Sequence, residues 1–167
     1  MAPLVYLWRN GTVQKHTAAT PQLHLTTFTG SRALMVDGTR DTTAPRVLIV
    51  EDEVLVRMFA VDVLEDCGFA VEQAASGQEA LEKFAAQQQV LTAAIIDLGL
   101  PDRPGDEIAA QIRAQSATLP ILIASGRSER ELRERFAGDA AIAVLGKPYT
   151  EPMLLDALNK LGVSKPA

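Results

Sequence analysis

Short apolar runs in this 167-residue chain end on residues that can do chemistry. Val47–Val50 leads into Glu51, Asp52 and Glu53. Ile96 leads into Asp97, Ala124 into Ser125 and Gly126, and Leu145–Gly146 into Lys147 and Pro148. If these runs are strands of one parallel sheet, the polar residues meet along one edge. Three carboxylates then crowd together with one hydroxyl and one ammonium. Carboxylates that close repel each other unless a cation lies among them. Oxygen donors without His or Cys point to Mg²⁺ or a similar hard cation. Both histidines, His16 and His24, lie upstream. Residues 46–167 therefore hold neither a Ser-His-Asp triad nor a His-ligated zinc site. With a cation offsetting charge, one carboxylate can attack an electrophilic phosphorus. Lys147 and the metal would balance charge on the transferring group, and Ser125 could donate a hydrogen bond to one of its oxygens.

The elements that must position these groups are legible from Arg46 onward. Val47–Val50, Ala93–Ile96, Ile121–Ala124 and Ala141–Leu145 are short and continuous rather than alternating, as strands buried on both faces are. Phe69–Ala74 reads as a weaker strand. Helical period fills the gaps. Val54, Met58, Val61 and Leu64 mark the first helix, which Gly68 ends. Ser76 with Glu79 has the spacing of a capping box for the second, whose inner face is Ala80, Leu81 and Phe84. Ile108 and Ile112 mark the third. Ser128–Phe136 is a charged fourth helix with Leu132 and Phe136 inward. The fifth begins near Thr150 and carries Leu154, Leu158 and Leu161. Five alternations of strand and helix predict a doubly wound parallel sheet with ligands at the strands' carboxyl ends.

Bulk properties narrow the classes. Hydrophobic residues at 47% and charged residues at 22% fit a globular domain rather than a disordered chain. One cysteine, Cys67, excludes an internal disulfide and suits a cytoplasmic location. No apolar run approaches the roughly 20 residues a membrane span needs, and the first residues lack the pattern of a secretory signal. Residues 1–45 carry four basic and two acidic side chains, so of the net −5 the remainder holds −7. So acidic a domain is a poor candidate for binding nucleic acid. Residues 1–45 read as an irregular or disordered extension, with short strands at most at 4–8 and 23–28.

The motifs resemble the receiver domains of two-component response regulators, over residues 46–162, with 163–167 as a tail. VLIVEDE (47–53) is similar to the first strand and its acidic pair, and DLGLPDRPG (97–105) to the phosphoacceptor loop. IASG (123–126) supplies the Ser/Thr position, and GKPY (146–149) the Lys-Pro pair, whose peptide is typically cis in the family. The resemblance implies a flavodoxin-like five-stranded sheet in order 2-1-3-4-5, with helices on both faces. It implies Asp97 as phosphoacceptor and Mg²⁺ held by Glu51, Asp52, Asp97 and the backbone carbonyl of Gly99. Ser125 and Lys147 would contact the phosphoryl group. The donor would be a phosphohistidine on a histidine kinase or histidine phosphotransfer protein, and output would pass to a downstream protein target. Gly99 and Arg127 occupy positions where the family varies its dephosphorylation rate, so Arg127 is expected to affect phosphoryl lifetime. Val144 stands where an aromatic often swings inward on activation, so that switch is expected to be absent.

On this reading the chain is no enzyme beyond its own phosphorylation and dephosphorylation. Other readings compete. Residues 1–45 could be the tail of a hybrid histidine kinase ending in a receiver, or Met35 could be the start. A Mg²⁺-dependent phosphatase or phosphomutase with an aspartyl nucleophile places a second acid two residues on, where this chain has Gly99. A phosphorylation-independent interaction module has no need of the acidic site. Singly, Asp97 reads as a turn residue, Lys147 as a solvated lysine, Ser125-Gly126 as a turn, Cys67 as core and Ser128–Arg135 as a solvated face. Glu53 reads as the start of a helix, without chemistry.

Overall fold

Where the sequence alternates between apolar runs and helical period, so does the fold. The computed structural model describes residues 4–9, 12–17 and 44–166. The chain divides into two units, Met1–Gly38 and Thr39–Ala167.

In the first unit, β1 (Leu4–Arg9) pairs antiparallel with β2 (Thr12–Thr17), from Leu4 opposite Thr17 to Arg9 opposite Thr12. The expected strand at 4–8 is therefore present, and the expectation of an irregular segment is corrected for these residues. β2 escapes a reading by alternation because Val13 is its one strongly apolar residue. The signal for it is Asn10-Gly11, a dipeptide that two-residue hairpin loops favour. The expected strand at 23–28, His24 and Met35 lie outside the described residues.

The second unit runs β3 (Arg46–Val50), α1 (Val54–Asp66), β4 (Ala70–Ala74), α2 (Gly77–Gln87), β5 (Leu91–Asp97), α3 (Gly105–Gln115), β6 (Ile121–Ser125), α4 (Glu129–Phe136), β7 (Ile142–Gly146) and α5 (Glu151–Lys160). The five strands are parallel in the order β4-β3-β5-β6-β7. Counted within the unit this is 2-1-3-4-5, the flavodoxin-like doubly wound sheet. Successive side chains point to opposite faces of a strand. Leu48, Val50, Ala94, Ile96, Ile121 and Ile123 accordingly pack with α2, α3 and Leu132 of α4. Val47, Ile49, Ala93, Ile95, Leu122 and Ala124 pack with α1 and α5. Both faces are covered, which is why the central strands are continuous apolar runs.

Local signals place the helix ends. Ser76 Oγ accepts from the Glu79 N–H at 3.2 Å, as the capping spacing requires. The Glu79 carboxylate reaches back to the Ala75 N–H at 2.8 Å rather than to that of Ser76. Gly68 ends α1 with φ +86°, a conformation that costs a glycine little. Two readings need correction. Val54 and Met58 do not face the core: they are 55% and 54% exposed, while α1 buries Ala60, Val61, Val63 and Leu64 in its second half. α1 is so rich in apolar residues that period 3.6 admits more than one inner stripe. The tail also begins later than residue 163, because Val163 is buried in the α1–α5 core. Among the described residues no helix is long and apolar enough to cross a membrane.

Candidate functional site

The strand order reverses between β3 and β5, and the polar residues meet at the carboxyl ends of those two strands, as the switch-point rule requires. Glu51 and Asp52 leave β3, and Asp97 closes β5. One carboxylate oxygen from each of the three lies within 4.8 Å of the others. Glu51 and Asp97 are buried, while Asp52 is exposed. β6 and β7 bring the other two groups. Ser125 is buried at the end of β6, one residue beyond Ala124, the partner of Asp97. Its carbonyl accepts from the Lys147 N–H at 2.8 Å. The Lys147–Pro148 peptide is cis. Lys147 Nζ lies 2.5 Å from Glu51 Oε2 and 3.2 Å from Asp97 Oδ1.

The electrostatics show an excess of negative charge. Burial raises the Glu51 carboxyl above its ordinary range and Asp97 pushes the same way, more than the Lys147 ammonium offsets. Burial alone would lower Lys147, but its hydrogen bond to Glu51 and the charges of Asp97 and Glu51 raise it instead. The nearby Tyr149 phenol is pushed up to about 12 by burial and by the charges of Glu51 and Asp97. Three carboxylates face one ammonium, and all the donors are oxygens. Such a set suits a hard divalent cation, which would balance the remaining charge.

Gly99 and Gly105 shape the loop after Asp97. Gly105 abuts the Asp97 carbonyl so closely that a Cβ there would collide with it. A Cβ at Gly99 would lie 3.3 Å from Asp97 Oδ2, so glycine leaves the carboxylate open there. Arg127 is exposed, and its backbone N–H donates to Ser125 Oγ at 3.2 Å. Val144 is part-buried in β7 and packs against the core on the α2–α4 face. Glu53 precedes α1 without a side-chain cap, and its N–H donates to Glu51 Oε1 at 3.3 Å.

Sequence reasoning missed Arg57. From α1 its Nη1 donates to the carbonyl oxygens of Glu51, at 2.5 Å, and Asp52, at 3.3 Å. With the Glu51 N–H bonded to the Ala74 carbonyl at 3.0 Å, this fixes the backbone of the acidic pair. A cation near a helix N-terminus opposes the dipole, and that unfavourable placement was the available signal.

The response regulator receiver domain family model matches residues 47–159. The transcriptional regulatory protein PdtaR of Mycobacterium tuberculosis is 37% identical over 127 residues, 75% of this chain and 60% of that protein. The sensor kinase CckA of Brucella abortus is 30% identical over 115 residues, 69% of this chain and 12% of that protein. The chain thus spans less than two thirds of these curated relatives. The solved structure of Vibrio cholerae chemotaxis protein CheY4 is 30% identical with a TM-score of 0.65, over 71% of this chain and 98% of that one. With the fold, the acidic cluster and the family match in agreement, this chain belongs to the response regulator receiver domain family of two-component signalling.

Proposed function

We propose that this chain is a phosphorylation-dependent signalling switch that accepts a phosphoryl group from a phosphohistidine onto Asp97. The observation that carries the reading is the placement of Lys147 Nζ within 3.2 Å of Asp97 and 2.5 Å of Glu51, inside a three-carboxylate cluster. An Asp97 oxygen attacks phosphorus. The P–O bond forms as the P–N bond to the donor imidazole breaks, and the imidazole nitrogen keeps the electron pair. Lys147 would leave Glu51 and pair with a phosphoryl oxygen, and Ser125 Oγ would donate to another. Glu51, Asp52, Asp97 and the Gly99 carbonyl would hold Mg²⁺, which when bound supplies positive charge against the transferring oxygens. Asp97 being buried limits the access of water to the acyl phosphate. Arg127, beside Ser125, would influence that access and so the phosphoryl lifetime.

The donor is a histidine kinase or a histidine phosphotransfer protein, and output is contact with a downstream protein. A cytoplasmic location is part of this proposal, as is the absence of turnover on other substrates. Incubation with Mg²⁺ and acetyl phosphate, followed by intact mass, tests the reading. The wild type gains one acid-labile phosphoryl group, and chelation of Mg²⁺ or Asp97→Asn prevents it. An unlabelled wild type, or multiple turnover of simple phosphate esters, contradicts it.

A further inference from the structure

Beyond the residues that would meet the phosphoryl group, the loop from Asp97 to Gly105 makes a second attachment. Asp102 leaves the sheet edge and places its carboxylate on the N-terminus of α2. Oδ1 accepts from the Gly77 N–H at 2.8 Å and Oδ2 from the Gln78 N–H at 2.9 Å. These two donors hold the carboxyl below its ordinary range. The first N–H groups of a helix have no partner within the helix. The local caps do not reach these two, since Ser76 takes the Glu79 N–H and Glu79 takes that of Ala75.

The contact is built from both sides. Arg103 Nη2 donates to Gln78 Oε1 at 3.0 Å. A Cβ on Gly77 would come 2.6 Å from Arg103 Cγ and 2.7 Å from Ile108 Cδ1, so the loop rests where the helix has no side chain. α2 in turn follows β4, whose last residue, Ala74, accepts the Glu51 N–H at 3.0 Å. The loop that carries Asp97 and Gly99 is thereby joined through α2 and Ala74 to the strand end that carries Glu51 and Asp52.

We propose that Asp102 is a positioning residue for phosphoryl acceptance, holding the Asp97–Gly105 loop at a fixed distance from the Glu51–Asp52 pair. The proposal rests on the reading of Asp97 as acceptor. Its tests are the Mg²⁺ dissociation constant by titration calorimetry, the initial rate of labelling by acetyl phosphate, and the urea midpoint. These are measured on the full chain and on Asp102→Ala, Asp102→Asn, Gly77→Ala and Ser76→Ala. Asp102→Ala weakens Mg²⁺ binding about tenfold, as loss of charge-assisted hydrogen bonds predicts, and slows labelling at least as much. Asp102→Asn, which keeps one acceptor oxygen, falls between. Gly77→Ala, pushing from the helix side, shifts binding in the same direction. Ser76→Ala removes a cap from the same helix without touching the loop, so it lowers the urea midpoint but keeps wild-type affinity and rate. Wild-type affinity and rate in folded Asp102→Ala and Asp102→Asn overturn the proposal, as does equal weakening in Ser76→Ala. A wild type that neither binds Mg²⁺ nor takes label overturns the underlying reading, and this proposal with it.

Discussion

The two flanks of the site are held differently. On the β3–β5 flank the acidic pair is fixed through backbone: the Ala74 carbonyl accepts from the Glu51 N–H, Arg57 donates to both carbonyls of the pair, and Asp102 ties the loop after Asp97 to α2. On the β6–β7 flank the attachments are sparser. Ser125 Oγ accepts one backbone N–H, at 3.2 Å, and α4 buries a single residue, Leu132. Apart from Leu132 and the part-buried Phe136 that helix is charged, laced by Arg130–Glu134 and Arg133–Glu129 pairs at helical spacing, which contribute little individually. Arg135 joins it to Asp106 of α3. A rigid flank suits the organisation of charge for phosphoryl transfer, and a lightly held one can move in response. On the proposed function, the acceptor and the cation's carboxylates lie on the more heavily attached flank, while Ser125 and Lys147, which would meet the phosphoryl group, come from the other.

Breaking the loose flank should cost the most in stability and nothing in the site. Leu132→Ala removes the only buried anchor of α4 and should destabilise the unit by about 3 kcal/mol in urea, with Mg²⁺ affinity unchanged. Removing the bridge is next. Lys147→Met should slow labelling by on the order of 10²-fold. It should keep or tighten cation binding, since it deletes a positive charge that competes for Glu51 and Asp97. On the rigid flank, Arg57→Ala frees two carbonyls and should weaken Mg²⁺ binding about tenfold by calorimetry. The smallest effect is Glu79→Gln. The Ala75 N–H, and then Lys83, hold the Glu79 carboxyl below its ordinary 4.5. That contribution is present above pH 4.5 and lost as pH falls through the folded value. The group is 41% exposed, so screening limits the loss to roughly 0.5 kcal/mol or less at neutral pH. Urea midpoints of wild type and variant should converge in acid.

The same contrast separates what the sequence reveals from what it conceals. The strands were legible because burial on both faces makes them continuous apolar runs. The places of Asp97, Ser125 and Lys147 at the strand ends were legible because each closely follows such a run. Arg57 and Asp102 were not, because both bond backbone groups, those of Asp102 far away in sequence, and backbone partners leave no mark in residue type. An arginine on a helix reads as solvated, and an aspartate after a proline reads as a turn. The exposed start of α1 was misread because Val54 and Met58 continue, at helical period, the stripe of the buried Val61 and Leu64. Val163 was missed because nothing periodic follows α5 to extend the core.

The central claim is that the phosphoryl group forms an acyl phosphate at Asp97. Borohydride reduction of the acetyl phosphate-treated protein, followed by peptide mapping, tests it most directly, because an aspartyl phosphate is reduced to homoserine. We expect homoserine at position 97 alone, dependent on Mg²⁺. Reduction at Asp52 or Glu51 instead, or at no acidic residue of the site in a protein that has taken up label, would contradict the account.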